Sequence, residues 1–145
     1  MAKIKVLVID DEQGIRDLFI QALEGDAYEV STAPDGEKGL EIIKKEKPKM
    51  IFLDLKLPGI DGIEVLKRIS GMDVKPVVIM ITGHGTVIKA SKAMDLGAYD
   101  YIVKPFKIDE IIKLMEEALK MENLEGKVSS LRDKLKKKEG GEKDE

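Results

Sequence analysis

Five short apolar runs, Ile4 to Ile9, Tyr28 to Thr32, Met50 to Leu53, Val77 to Ile81 and Tyr99 to Val103, recur along the chain. Each gap between them has room for a helix and its turns. The first gap shows the helical period most clearly, with Ile15, Leu18, Phe19, Ala22 and Leu23 at offsets 0, 3, 4, 7 and 8. Later gaps repeat it as Leu40/Ile43, Ile63/Leu66/Ile69 and Val87/Ala90/Met94. Val77-Val78-Ile79-Met80-Ile81 is apolar at every position, as a strand must be when helices cover both faces of a parallel sheet. Tyr28-Glu29-Val30-Ser31-Thr32 alternates instead, which suits an edge. Strand-helix alternation repeated in this way predicts a doubly wound α/β fold with a five-stranded parallel sheet in the order 2-1-3-4-5.

The punctuation between runs agrees. Leu57-Pro58-Gly59-Ile60 carries proline and glycine at the two central positions of a type II turn. Asp61 precedes Glu64 by three residues, the spacing of a capping box with aspartate as cap, and Pro34-Asp35-Gly36 marks another helix start. From Ile108 a helical pattern runs on past the needs of the sheet. Met121, Leu124, Val128, Leu131 and Leu135 follow a 3-4-3-4 spacing, a heptad seam of the kind that pairs helices, and Gly126 falls on its outer face.

Composition narrows the function. A chain of 145 residues is enough for one domain with a substantial core. It has no cysteine, which excludes disulfides, thiolate metal sites and cysteine nucleophiles. With a net charge of -3 and only three tyrosines and three phenylalanines, direct nucleic-acid binding is not expected. Neither a secretory leader nor an apolar run of membrane-spanning length is present, so the expectation is a cytoplasmic protein without membrane contact.

In an open parallel sheet, ligands bind beyond the carboxyl ends of the strands, where the strand order reverses. The polar residues that end the runs are Asp10 and Asp11, Asp54, Thr82 and Lys104. One acid after a strand is ordinarily a solvated loop residue, so it is the convergence that matters. Clustered carboxylates with no histidine or cysteine beside them suit a hard cation, and Mg2+ best, because it binds through one or two carboxylates plus phosphate oxygens. A lysine and a threonine hydroxyl in the same crevice suit a phosphoryl group.

With these segments in order, Val8-Ile9-Asp10-Asp11-Glu12, Leu53 to Gly62, Ile81-Thr82-Gly83-His84-Gly85 and Tyr101-Ile102-Val103-Lys104-Pro105-Phe106, residues 4 to about 120 resemble the receiver domain of two-component response regulators. The resemblance implies a flavodoxin-like fold in which Asp54 is the phosphoacceptor. It implies Mg2+ bound by Asp11, Asp54 and the backbone carbonyl of Lys56, with Asp10 acting largely through water. It further implies that Thr82 bonds the phosphoryl oxygens, that Lys104 pairs with them, that Tyr101 is the switch aromatic, and that Pro105 follows a cis peptide. The implied switch moves Thr82 toward the phosphoryl group and Tyr101 into the vacated space, re-forming the face of helix four, strand five and helix five. The implied partners are a histidine kinase or histidine phosphotransfer protein, docking around Gln13, Gly14, Ile15 and Leu18, and a downstream protein target. Ile15 and Leu18 also match the core stripe of their helix.

The expected domains are a receiver over residues 1–120, a helical extension over 121–138 whose seam predicts a homodimer through the C-terminal helix, and a disordered tail over 139–145. His84, the single histidine, is read as solvated in preference to tuning hydrolysis from the crevice rim, and Gly83 either leaves room beside Thr82 for an incoming donor or serves the loop backbone. Glu12 is read as the solvated start of the first helix. The chain is expected to be a signalling phosphoacceptor and not an enzyme acting on other substrates. The competing reading is a Mg2+-dependent aspartyl-phosphate phosphatase resembling the haloacid dehalogenase-like enzymes. Those place the nucleophile after strand one in an Asp-x-Asp pattern, whereas here strand one ends Asp10-Asp11-Glu12 and Asp54 is followed by Leu55-Lys56. The output segment resembles both the receivers of nitrogen-regulatory transcription activators and the single-domain phosphorelay regulators of sporulation.

Overall fold

The structure, a computed structural model, describes residues 2–83 and 87–121. His84 and the seam beyond Met121, and with them the 121–138 extension past its first residue and the 139–145 tail, lie outside the described residues.

The elements alternate as the apolar runs predict: β1 (Ile4–Ile9), α1 (Gln13–Leu23), β2 (Tyr28–Ala33), α2 (Gly36–Glu46), β3 (Met50–Asp54), α3 (Gly62–Ser70), β4 (Val77–Thr82), α4 (Val87–Asp95) and β5 (Asp100–Val103). A further helix, α5, spans residues 108–121. The chain divides into two compact units between Phe106 and Lys107, so that the sheet and the first four helices belong to one and α5 to the other. Along α5 the buried residues are Ile111, Met115 and Ala118, spaced four and three apart.

The sheet has the order β2-β1-β3-β4-β5, and all four pairings are parallel. β2 lies at an edge, and its alternating sequence leaves no residue fully buried before Ala33. The central strands are buried over most of their length: Val6 to Ile9 and Met50 to Leu53 are all at most 1% exposed. On one face Leu7, Ile9, Ile51 and Leu53 join Ile43, Val65, Leu66 and Ile69 in one cluster. Phe19 of α1 meets Phe52 at a ring-centroid distance of 4.7 Å and Phe106 at 5.9 Å. Each such buried side chain contributes roughly 1.5–3 kcal/mol by leaving water.

The turns that carry the chain to the carboxyl edge follow the local chemistry. The Asp35 side chain accepts from Lys38 N at 2.9 Å and caps α2, and Asp61 does the same for α3 from Glu64 N at 2.9 Å. Gly59 takes φ +78°, as the type II turn requires. The Lys104-Pro105 peptide is cis, as the resemblance implies.

Candidate functional site

Backbone hydrogen bonds continue the sheet ladder one step past the strands and aim four of the predicted polar residues. Asp10 N donates to Ala33 O at 3.1 Å, Leu55 N to Ile81 O at 3.0 Å, and Lys104 N to Thr82 O at 2.7 Å. Asp10, at the end of β1, and Asp54, closing β3, are therefore neighbours across the β1–β3 pair, where the strand order reverses.

Asp10, Asp11 and Asp54 can each offer a carboxylate oxygen such that all three lie within 4.8 Å of one another. Asp10 is fully buried, Asp54 is 5% exposed, and Asp11 faces solvent. The Lys104 ammonium sits among the acids, 3.1 Å from Asp10 Oδ2, 3.3 Å from Asp54 Oδ2 and 2.5 Å from Glu12 Oε1. Asp54 Oδ1 accepts from Lys56 N at 3.1 Å, and Asp10 Oδ1 accepts from Glu12 N at 2.9 Å. Asp10 Oδ2 is buried and in ion-pair contact with Lys104, yet no hydrogen bond of good alignment reaches it.

The electrostatics follow from this crowding. Burial is the largest influence on Asp10 and raises its pKa, with the Glu12 backbone N–H and the Lys104 charge opposing. Burial and then the charge of Asp10 push Asp54 from 3.8 up to about 6, against the pull of Lys104 and the Lys56 N–H. Burial disfavours the charged form of Lys104, but its contacts with Glu12 and Asp10 and the field of Asp54 outweigh that and hold it above the usual lysine value.

These residues fit Mg2+. The donors are all oxygens, two of the three carboxylates are withdrawn from water, and Asp10 Oδ2 is a buried acceptor without an aligned donor. The single ammonium of Lys104 is shared among the carboxylates of Asp10, Asp54 and Glu12.

Thr82 is fully buried at the end of β4, and its hydroxyl donates to Gly83 O at 3.0 Å. Tyr101 is half-buried and packs against the core cluster, its backbone N–H donating to Asp100 Oδ1 at 2.7 Å. Lys56 is brought to the site by its N–H. Glu12, read from sequence as no more than the start of α1, holds Lys104, a partner 92 positions away.

Two more residues support the site and were not singled out from sequence. Arg16 Nη1 donates to the Asp10 carbonyl at 2.8 Å, tying the acidic turn to α1. Gly62 starts α3 directly against β3: a Cβ there would strike Asp54 O and lie 2.8 Å from Leu55 Cα. Glycine right after a helix-capping aspartate was the available signal for Gly62. Arg16 falls off the apolar stripe of its helix and gave none. Beside the site, Glu12, Ile15, Leu18, Lys104, Pro105 and Phe106 line a hollow of about 390 Å³.

Residues 6–116 match the family model of the response regulator receiver domain. The chain belongs to the response regulator receiver family. Among relatives of this receiver, sporulation initiation phosphotransferase F of Bacillus subtilis is 37% identical over 119 residues, which cover 82% of the chain and 96% of that protein. The nitrogen assimilation regulatory protein NtrX of Azorhizobium caulinodans is 38% identical over 129 residues, 88% of the chain but 28% of the relative. The crystal structure of NtrX from Brucella abortus superposes with a TM-score of 0.82 at 39% identity, covering 90% of the chain and 30% of that protein. The receiver thus spans nearly all of the first relative and under a third of the other two, in line with the two resemblances of its sequence. Among the described residues no helix is long and apolar enough to cross a membrane.

Proposed function

We propose that this receiver accepts a phosphoryl group on Asp54 from a phosphohistidine donor in a Mg2+-dependent reaction, and that the adduct switches a protein-interaction face. The observation that carries the reading is the Lys104 ammonium lying 3.1 and 3.3 Å from the buried carboxylates of Asp10 and Asp54 at the strand-order reversal. In the transfer, a carboxylate oxygen of Asp54 forms a bond to phosphorus as the phosphorus–nitrogen bond of the donor breaks, and the leaving imidazole takes up a proton. Bound Mg2+ supplies neutralisation of the phosphoryl oxygens. Asp10, Asp11 and Asp54, with the Lys56 carbonyl, are the residues assigned to hold it. The Lys56 N–H fixes the Asp54 side chain, and Lys104 offers its charge to the incoming phosphoryl group.

The product adds about -1.5 to -2 charges in the crevice. Thr82 then exchanges its bond to Gly83 O for a phosphoryl oxygen, and Tyr101 follows into the space released. The hollow formed by Ile15, Leu18, Pro105 and Phe106 beside Lys104 supports docking of the histidine kinase or phosphotransfer protein there. The downstream partner reads the switched face.

The test is incubation with Mg2+ and a small phosphodonor, followed by intact mass measurement. One phosphoryl increment per chain is expected, abolished by Asp54→Ala. Retained labelling in that variant refutes the assignment. Many turnovers of released phosphate per chain favour the phosphatase reading instead.

A further inference from the structure

We propose that Glu12 is a positioning residue that draws the Lys104 ammonium partly away from Asp10 and Asp54, and so leaves those two carboxylates available to a divalent cation. The inference rests on the cation site proposed above and assigns a task to a residue outside it. An ammonium has three donors. The shortest of its contacts here, 2.5 Å, goes to Glu12 Oε1, while those to Asp10 Oδ2 and Asp54 Oδ2 are 3.1 and 3.3 Å.

The Glu12 backbone is fixed independently of its side chain. Its N–H donates to Asp10 Oδ1, and its carbonyl accepts from Ile15 N at 3.1 Å and Arg16 N at 3.2 Å. Although Glu12 occupies the cap position of α1, its carboxylate does not cap the helix and is turned to Lys104. Asp10 Oδ2 carries the corresponding mark, since it is buried beside the ammonium without an aligned hydrogen bond. With Glu12 neutral, the third donor returns to Asp10 and Asp54, and a cation must displace it.

The experiment measures Mn2+ affinity of the full chain, without phosphodonor, for the wild type, Glu12→Gln, Lys104→Met and the double variant, with Lys104→Gln as a second removal of the ammonium. Because Glu12 is largely exposed, its loss is expected to weaken Mn2+ binding by only about three- to fivefold. In either Lys104 background the same substitution is expected to change affinity less than about twofold. An equal loss with and without Lys104 means that Glu12 acts by direct attraction on the ion, and overturns the proposal, as does an unchanged or tightened affinity in Glu12→Gln alone. A wild type that binds no Mn2+ overturns the cation site as well, an outcome distinct from binding that ignores Glu12.

Discussion

Replacing Asp54 by asparagine should stabilise the metal-free protein, because the ionised carboxylate is held in a buried site beside another acid. Its pKa stands at about 6 in the folded chain against an ordinary 3.8. At roughly 1.4 kcal/mol per pH unit, that difference makes the charged form cost about 3 kcal/mol of folding free energy. The folded state binds the proton more tightly than the unfolded state, so stability falls as pH rises from 3.8 through 6, and the full cost is present only above about pH 7. The asparagine amide retains an acceptor for Lys56 N–H and gives up the 3.3 Å contact with Lys104, which still has Asp10 and Glu12. The expected gain for Asp54→Asn is therefore about 2–3 kcal/mol at pH 8, shrinking to roughly half by pH 5. Urea denaturation followed by far-UV circular dichroism in a chelator, at both pH values, measures it. Saturating Mg2+ should close the gap by stabilising the wild type, by about 2.7 kcal/mol at a hundredfold excess over Kd. No gain at pH 8, or the same gain at pH 5 and pH 8, refutes the electrostatic argument.

Gly62→Ala places a methyl group against the Asp54 carbonyl and Leu55 Cα, backbone that has no room to yield, and should cost about 1–3 kcal/mol in denaturant melts while weakening Mg2+ binding by displacing Asp54. Arg16→Ala removes the 2.8 Å bond to the Asp10 carbonyl; a loss of about 1 kcal/mol in stability is expected, together with weaker Mg2+ binding by calorimetry, and an unaltered Mg2+ affinity would show that the acidic turn holds its shape alone. The rate of phosphorylation by a small donor at subsaturating Mg2+ should fall as pH drops through about 6, because Asp54 attacks as the carboxylate, and saturating Mg2+ should move that fall to lower pH; a flat profile between pH 7 and 5 counts against Asp54 as nucleophile.

Much of the architecture was legible from local pattern. The uniformly apolar Val77 to Ile81 and the alternating Tyr28 to Thr32 separate an inner strand from an edge strand, because a side chain flanked by helices on both faces has no route to water. Asp35 and Asp61 were readable as caps because a short acceptor before a helix satisfies a nearby N–H whatever the rest of the chain does. The ends of the apolar runs gave Asp10, Asp54, Thr82 and Lys104, since the carboxyl edge of a parallel sheet gathers them by topology alone. Glu12 is the solvated start of α1 that its sequence suggests, but its pairing with Lys104 was not legible, because a residue in an acidic turn has the same local signature whether or not a distant ammonium meets it.

By itself, then, the sequence determined the order of elements, the covered and edge strands, and the set of polar groups delivered to one end of the sheet; those depend on periodicity and on where apolar runs stop. Tertiary structure alone decided how the acids divide: Asp10 fully buried, Asp11 in solvent, Asp54 raised toward neutral pH, and Glu12 joined to Lys104. Burial and charge pairing depend on the ends of β1, β3 and β5 coming together, which brings into contact residues far apart in the chain.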